Sequence, residues 1–533
     1  MRWRRIGLGL LFGLLTSIPA LGVMYIGDQL AGLSFAPFTV FEFVTRILPG
    51  SVMTFTIDLM VTIITGLNLG PTAETAKLAE QAMALAQFVV AGGIVGAVLA
   101  WVGDLGSWRR LPLWGLVGGL ALLLVAAIAE IIMGAENLAL NLVWLAVVLG
   151  GWGAILGWTV RDALFTELQT PDAESRRTLL YLGSAALLAL VTGAISLATA
   201  FRERVPVAQG EATPTPMRPS SVDTSGPAAS PPEPTLEARI EPVPGTRPEI
   251  TSNENFYRID INLRPPSVDG GEWRLSVTGL VDNPREFTLE EIRALPSVSQ
   301  YITLSCISNQ IGGDLISTSR WTGVRLMDFL DQVGLQADAT ALYIESVDGF
   351  YETVVMEDMM DERTLLVYEM NGEPLPAEHG YPLRIYIPNR FGMKQPKWIV
   401  RMEAVSEERE GYWVERGWSR TAIVRTTSVI DIAMDEQTGG QTARMGGIAY
   451  AGARGISKVE VQVDGGDWQE AQLRVPPLSP LTWVQWRYEW PAQAGRHTAR
   501  VRAYDGSGEL QLLEESPPHP DGATGVDSFD FDV

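Results

Sequence analysis

The chain has a single cysteine, Cys306, in surroundings that suit a reactive or metal-binding thiol. It lies in the run YITLSCISNQIGG, where a β-prone stretch, Tyr301–Leu304, ends in a polar loop that contains Gly312 and Gly313. A lone cysteine is most often a small buried hydrophobic residue, but at the end of a strand it is placed as an accessible thiolate would be. One cysteine excludes an intrachain disulfide, a thiolate zinc site and a cysteine-ligated iron–sulfur cluster, which need several.

Three kinds of thiol chemistry compete for Cys306. A nucleophile needs a histidine base, and only His379, in EHGYPLR, is a candidate, because His497 lies in a β-repeat-like region and His519 in the PPHP tail. A redox sensor normally needs a resolving cysteine, which this sequence does not have. A soft metal held by one protein thiolate, with its other ligands from an organic cofactor, needs no further protein ligand. The role of metal ligand therefore fits a one-cysteine chain best.

Several separated motifs follow one another in the order found in a known family. They are NENFYRID, VTGLVDNPREFTLEEIRALP, ITLSCISNQIGG, RWTGVRLMDFL, YEMNGEPLPAEHGYPLRIYIPNRFGMKQPKWI and, later, RGISKVEVQVDGGDWQEA and GRHTARVRAYD. Together they resemble the sulfite oxidase-type molybdenum enzymes over Glu249–Val533, more than half of the chain. The resemblance implies a mixed α+β molybdopterin domain, an immunoglobulin-like C-terminal domain, and an oxidoreductase that moves one oxygen atom and two electrons.

The resemblance also assigns roles to individual residues. Cys306 would be the catalytic thiolate on molybdenum, whose other sulfur ligands come from the dithiolene of the molybdopterin cofactor. His379 and Arg384 match the family's pair that binds the pterin phosphate, Lys397 matches its cofactor-binding lysine, and Lys394 is a second cationic candidate. The charges agree, since such side chains are donors suited to one phosphate monoester. The alternative for the two lysines is solvated surface charge.

Five further positions are candidates for contact with the cofactor. Asn255, Tyr257 and Arg258 match the part of the family pattern that lines the cofactor and the open side of the metal. Ser346 is another candidate for a cofactor contact. Asn309 follows the cysteine at the spacing of the family's cysteine-loop asparagine, and its alternative role is to brace its own loop.

Two positions depart from sulfite oxidases proper, which carry an arginine where this chain has Gln310 and a tyrosine where it has Trp418. Cationic side chains bind the sulfite dianion, so the loss of one weakens the case for sulfite as the substrate. We therefore expect a small oxo donor or acceptor such as sulfite or a sulfoxide. The alternative is a membrane-anchored binding or scaffold protein that keeps the fold without catalysis, although the thiol and the phosphate-binding residues are all present.

The elements that position these residues begin with a predicted α-helical membrane bundle over residues 1–203. Hydrophobic residues make up 47% of the chain against 19% charged, which is typical of a protein partly in lipid. Five stretches lack charge over the ~20 residues that cross a bilayer. They are Ile6–Gly27, Ala82–Gly103, Leu111–Ala129, Leu138–Val160 and Thr178–Phe201. We interpret Ala31–Leu69 as interfacial or re-entrant helices, because Glu42, Arg46, Pro49 and Asp58 interrupt it.

Basic residues predict the orientation of this bundle. With five spans, three arginine clusters fall on one side, which the positive-inside rule makes cytoplasmic. They are Arg2, Arg4 and Arg5; Arg109 and Arg110; and Arg161, Arg176 and Arg177. Everything after Phe201 is then extracytoplasmic in a multi-pass cell-membrane protein, whose external electron carrier is a cytochrome or a quinone. The first run could instead be a cleaved signal peptide, which four further spans disfavour. No histidine lies in this region, which excludes a bis-histidine haem there.

Composition divides the rest of the chain into three parts. Residues 204–248 are rich in Pro, Ser and Thr and are predicted to be a disordered linker that acts as a flexible tether. Residues 249–422 form the predicted molybdopterin-binding oxidoreductase domain. Residues 423–533 show short alternating runs typical of a small β-sandwich, a module that the resemblance associates with a homodimer. The net charge of −22 argues against nucleic acid as a partner.

Overall fold

The computed structural model divides the chain into two compact units. It describes residues 2–67, 69–135, 137–165, 181, 183–184, 240–433, 442–491 and 494–533. The helical unit comprises Met1–Leu48 and Lys77–Asp223, and the β-rich unit comprises Pro49–Ala76 and Thr224–Val533. Most of the predicted linker and most of the fifth predicted span, Thr178–Phe201, lie outside the described residues.

The apolar runs of the N-terminal third form long helices. They are α1 (Arg2–Ala31), α2 (Ala36–Ile47), α3 (Gly50–Gly66), α4 (Thr72–Val102), α5 (Leu111–Ile132) and α6 (Leu138–Leu164). Within the described residues, three helical stretches are long and apolar enough to cross a membrane, namely Arg2–Ala31, Thr72–Ile132 and Leu138–Leu164. The helices α2 and α3, separated by Leu48-Pro49, would make a fourth, broken span.

The 61-residue stretch Thr72–Ile132 is two helices that lie side by side. Gly106, between them, has a φ of 93°, a conformation that glycine adopts without strain. A Cβ added to Gly118 on α5 would lie 2.9 Å from Cγ1 of Val95 on α4. The chain therefore reverses direction between α4 and α5, in agreement with the two separate apolar runs in the sequence.

Glycines set the distance between the helices of the helical unit. A Cβ on Gly13 of α1 would meet the carbonyl oxygen of Gly92 on α4, and one on Gly115 of α5 would meet that of Gly153 on α6. The same holds for Gly119, whose added Cβ would meet the Leu149 carbonyl oxygen. Small residues at such crossings let helix backbones touch, and the resulting van der Waals contact is a main source of helix association in lipid.

The first part of the β-rich unit contains two sheets. Its strands are β1 (Leu275–Gly279), β2 (Arg285–Phe287), β3 (Ser297–Ser305), β4 (Ile316–Arg325), β5 (Ala341–Ser346), β6 (Tyr351–Val355), β7 (Leu365–Met370), β8 (Glu373–Pro374), β9 (Arg384–Tyr386) and β10 (Ile399–Val405). One sheet has the order β2-β1-β10-β5-β6, with β1 and β10 parallel. The other has the order β3-β4-β7-β8, and β9 also pairs with β7.

Three short helices complete this part, and a hydrophobic core joins them to the sheets. They are α7 (Leu289–Arg293), α8 (Leu326–Leu330) and α9 (Met356–Met359). Helix α7 begins with a capping box in which Thr288 and Glu291 satisfy each other's backbone N–H groups. Val277, Phe329 and Met402 are fully buried in the shared core, so the strand ends that carry the candidate site rest on a rigid base.

The C-terminal part is a pair of four-stranded sheets. Its strands are β11 (Thr427–Ile432), β12 (Thr442–Tyr450), β13 (Ile456–Val463), β14 (Gln469–Glu470), β15 (Gln472–Leu473), β16 (Val484–Pro491), β17 (Arg496–Asp505) and β18 (Asp527–Asp532). The sheets have the orders β11-β12-β16-β15 and β14-β13-β17-β18. Met445 and Trp486 of one sheet share a core with Val459 and Val501 of the other, which is the packing of a sandwich. The immunoglobulin-like assignment stays a prediction.

The glycine crossings predict a position-dependent effect of a single methyl group. Gly115→Ala should lower stability by about 1–3 kcal/mol, because the methyl group forces α5 away from α6. Gly151→Ala is the matched control on α6, since nothing lies within 4 Å of its added Cβ, and it should be neutral or stabilising by about 0.5–1 kcal/mol. Thermal unfolding of the full chain in detergent measures both, and equal shifts for the two variants would contradict the packing.

Candidate functional site

Cys306 follows β3 directly and lies in a loop that its own backbone closes. Its N–H donates to the carbonyl oxygen of Leu315 (2.9 Å), and its Sγ lies 3.0 Å from Oγ of Ser308. Asn309 ties the loop from inside, because its Oδ1 accepts from the Leu315 N–H at 2.9 Å. This contact is the loop-bracing role considered for Asn309 from the sequence.

The sulfur of Cys306 lies in an apolar setting. The side chain is 8% exposed and packs with Ala73 and Leu315, with Tyr257 and Ile259 against the same cluster. Burial raises the pKa of the thiol, and the hydrogen bond to Ser308 lowers it only in part. A thiol in such a place ionises when a cation or metal stabilises the thiolate.

Arg384 and His379 contact each other directly. Arg384, on β9, donates to the His379 carbonyl oxygen at 3.0 Å and lies 4.9 Å from the ring centroid of Trp321. Burial lowers its pKa to about 10. Nε2 of His379 lies 3.0 Å from the carbonyl oxygen of Asn253. Burial, with nearby cations, lowers the pKa of His379 to about 3, so the ring is neutral with its proton on Nε2.

Lys397 and Arg258 share one buried carboxylate. Nε of Arg258 lies 2.7 Å from Oδ2 of Asp260, and Nζ of Lys397 lies 3.5 Å from the same oxygen. Burial lowers the pKa of Lys397 to about 8, against the opposing effect of Asp260, while Arg384 and Arg258 lower it further. The carboxylates that act electrostatically on Lys397 include Asp260 and Asp348. A cluster of three cations, Arg258, Arg384 and Lys397, is suited to an anion.

Two residues beside these cations, Trp398 and Gly380, have positive backbone φ angles. Trp398 has a φ of 52°, which is rare for a bulky residue and marks strain of the kind found at functional sites. Its indole N–H donates to the Ala377 carbonyl oxygen at 2.7 Å. Gly380 has a φ of 112°, and an added Cβ would lie 3.1 Å from Cβ of both Arg384 and Lys397. Glycine at this position lets the two cations approach each other.

Ser346 provides an uncommitted polar group beside this cluster. It ends β5 and is paired in register with Ile399 of β10, and the N–H of Val347 donates to the Trp398 carbonyl oxygen at 2.9 Å. Its hydroxyl is buried and has no hydrogen-bond partner among the described residues. A buried hydroxyl without a partner is costly unless a ligand satisfies it.

Two predicted residues lie apart from the cation cluster. Nζ of Lys394 is 2.6 Å from Oε1 of the fully buried Glu352 on β6, and Asn255 is exposed, with its N–H in a turn to the Ser252 carbonyl oxygen at 3.2 Å. The alternative of solvated surface charge is wrong for both lysines, because Lys394 is 7% exposed and the Lys397 side chain 12%.

Sequence reasoning missed three residues that hold the site. Asn253 binds His379, and Asp260 binds both Arg258 and Lys397. Trp398 binds the backbone of Ala377. Asp260 lies within the NENFYRID motif, so the need of buried cations for a carboxylate would have pointed to it. Asn253 acts through its backbone, which leaves no signal in side-chain type.

Comparison with known proteins identifies the class to which this arrangement belongs. Residues 262–413 match the model of the oxidoreductase molybdopterin binding domain. Human mitochondrial sulfite oxidase is 29% identical over 350 residues, covering 55% of this chain and 64% of that protein. The uncharacterized oxidoreductase YuiH of Bacillus subtilis is 31% identical over 33% of this chain and 85% of its own length.

A third relative is a putative protein-methionine-sulfoxide reductase subunit, YedZ1, of Azospira oryzae, which is 32% identical over 31% of this chain and 60% of its own length. The chain belongs to the sulfite oxidase-type family of molybdopterin-dependent oxidoreductases. It spans less than two thirds of the length of the human relative. The cofactor that the family implies is molybdenum-molybdopterin, and the residues present fit it: the cation cluster suits its phosphate, the free Ser346 hydroxyl suits a polar group, and Cys306 suits a soft metal.

The lowered pKa of Lys397 predicts how cofactor binding depends on pH. An anion bound beside Lys397 raises its pKa above about 8, so affinity is constant below that pH and falls above it, by up to about tenfold per pH unit. Lys397→Arg stays protonated and should retain cofactor across pH 7–10. The measurement is the pterin fluorescence that remains on the full chain after dialysis at each pH, and parallel losses in both proteins would contradict the assignment.

Proposed function

We propose that this protein is a membrane-anchored molybdenum-molybdopterin oxidoreductase that transfers one oxygen atom and two electrons at a small sulfur compound. The observation that carries the proposal is that one partly buried residue, Tyr257, lies near both the cation cluster and the chain's single thiol. It packs in the Cys306 cluster and interacts electrostatically with Arg384. Such a site matches a cofactor with an anionic tail and a soft metal at its reactive end.

Each residue then has a defined task. The phosphate is bound by Arg258, Arg384 and Lys397. Neutral His379 positions Arg384, because the His379 carbonyl oxygen accepts a hydrogen bond from the Arg384 guanidinium. Ser346 hydrogen-bonds a polar group of the pterin. Bound molybdenum supplies the exchange of oxygen and electrons, and Cys306 is its protein ligand.

Three candidates keep supporting tasks near the cofactor. Asn309 fixes the cysteine loop. Lys394 fixes the neighbouring turn through Glu352. Asn255 lies at the exposed rim.

A neutral sulfoxide suits the site better than sulfite. The surroundings of Cys306 include the apolar residues Ala73, Leu315 and Ile259 beside the Ser308 hydroxyl, and Gln310 replaces the arginine that sulfite oxidases carry. Apolar neighbours do not replace the hydration that a dianion loses on binding, so they favour a neutral molecule with alkyl groups. A relative named as a putative methionine-sulfoxide reductase subunit agrees with this choice. Reduction of a sulfoxide consumes two electrons and two protons and yields a thioether and water, so an external carrier, a cytochrome or a quinone, must supply the electrons.

The contacts at the helix ends support an extracytoplasmic catalytic domain. Arg5 pairs with Asp104 at 3.2 Å, which places the N-terminal arginines at the end of α4 that leads to Arg109-Arg110. Basic residues at one end of the helices mark the cytoplasmic side. With five predicted spans, the chain after Phe201 then lies on the side opposite to the three arginine clusters. We place the β-rich unit outside the cytoplasm and retain a homodimer through its C-terminal sandwich as part of the proposal.

Replacement of the thiol tests the chemistry. Purified full-length protein should contain molybdenum and pterin, and Cys306→Ser should lose oxo transfer to below detection while it keeps its pterin, because the phosphate contacts lie elsewhere. Sulfoxide reduction with an artificial electron donor, metal analysis and pterin fluorescence are the three measurements. Full activity of Cys306→Ser would refute the ligand assignment, and wild-type protein without molybdenum or pterin would favour the scaffold alternative.

The orientation has its own test. Protease added to intact spheroplasts should cut within residues 204–248 and give a fragment of the size of the C-terminal domains on a denaturing gel, because that segment is predicted to be extended and outside. Protection in spheroplasts together with cleavage in inside-out vesicles would reverse the orientation and require Ala31–Leu69 to be a full span.

A further inference from the structure

The segment Pro49–Ala76 lies in sequence between apolar helices, yet it packs as part of the β-rich unit. At its start, a Cβ added to Gly50 would lie 2.7 Å from Cα of Arg416. In its middle, Asp58 is close enough to His519 to interact electrostatically. The segment, which we call the wall segment, is therefore anchored at more than one point.

Its last residues reach the cysteine loop. The Thr72 N–H, at the first residue of α4, donates to Oδ2 of Asp314 at 2.8 Å. Asp314 directly precedes Leu315, the residue whose carbonyl oxygen accepts from the Cys306 N–H. The start of α4 is thus tied to the same loop that positions the sulfur.

Ala73 completes this contact. It is 6% exposed and forms one buried cluster with Cys306 and Leu315. A larger side chain at this position would enter the space beside the sulfur, whereas glycine would open it. Position 73 lies outside residues 262–413, which match the molybdopterin-binding domain.

We propose that the wall segment forms one side of the entrance to the reactive end of the site, and that Ala73 is a specificity-determining residue that limits the size of the group that reaches it. The inference rests on the proposed function for the identity of the reactive end. Ala73 sets the clearance beside the sulfur, and the Thr72–Asp314 hydrogen bond holds Ala73 in place.

The first experiment measures access to the sulfur without enzymatic turnover. The full chain is produced free of cofactor, and alkylation of Cys306 by iodoacetamide and by a bulky maleimide is followed by intact mass, which reports on this thiol alone because the chain has one cysteine. Ala73→Gly should accelerate the maleimide reaction several-fold and Ala73→Leu should slow it, with smaller effects on iodoacetamide. The matched control is Ala82→Leu, at an exposed alanine of the same helix, and it should change neither rate.

A second variant covers the case in which Ala73→Leu fails to fold. Asp314→Ala removes the acceptor of the Thr72 N–H from an exposed position and should also accelerate maleimide alkylation. Asp338→Ala, at another exposed loop aspartate, is its control. Rates that are the same in Ala73→Gly, Asp314→Ala and the wild-type chain would overturn the proposal.

The loaded enzyme gives the third readout. Ala73→Leu should lower kcat/KM for a bulky sulfoxide by about tenfold relative to dimethyl sulfoxide, since a few added carbons in a pocket have effects of this size. An unchanged ratio would overturn the proposal. Failure of the proposed function is a separate result, because it would show as full activity in Cys306→Ser, whereas the alkylation rates test the wall segment whatever the reaction is.

Discussion

The burial of two cations, Arg384 and Lys397, in one cluster is the constraint on which the rest of the site depends. Taking a cation out of water costs several kcal/mol unless a counter-charge and hydrogen bonds replace the lost hydration. The cost is visible in the lowered pKa values of both groups. A glycine with positive φ at position 380 and a strained Trp398 hold the cations in place. Such a cluster favours an anion as its ligand, in agreement with the phosphate site that we propose.

Several features of the candidate site and of the helix packing could be predicted from the sequence, because the patterns that indicate them are local. The cysteine at the end of β3, the cationic HGYPLR stretch and the glycine-spaced runs each depend on residues close together in the chain. The partners could not be predicted. The pairing of Lys394 with Glu352, at 2.6 Å, has no local signal because the two residues lie 42 positions apart in sequence. Gly92 indicated close packing, but tertiary structure alone names Gly13 as the residue it meets.

The interpretation of Ala31–Leu69 shows the same limit. Charges and Pro49 predict interfacial or re-entrant helices here, and the structure has two helices with a break between them, since α2 ends at Ile47 and α3 begins at Gly50. Hydropathy could not tell that the part from Pro49 onward packs with loops more than two hundred residues later, because an apolar helix surface has the same composition whether lipid or protein covers it. The match to the family domain, which begins at residue 262, contains no information about this segment either.

The insertion of Pro49–Ala76 into the β-rich unit also limits how that unit can travel. A flexible linker alone would let this unit sample many positions relative to the membrane. The chain, however, passes without a spacer from α2 through Leu48 into the wall segment, and from Ala76 directly into the remainder of α4. Two short connections of the chain, Leu48–Pro49 and Ala76–Lys77, therefore join this unit to the helical unit in addition to the predicted linker.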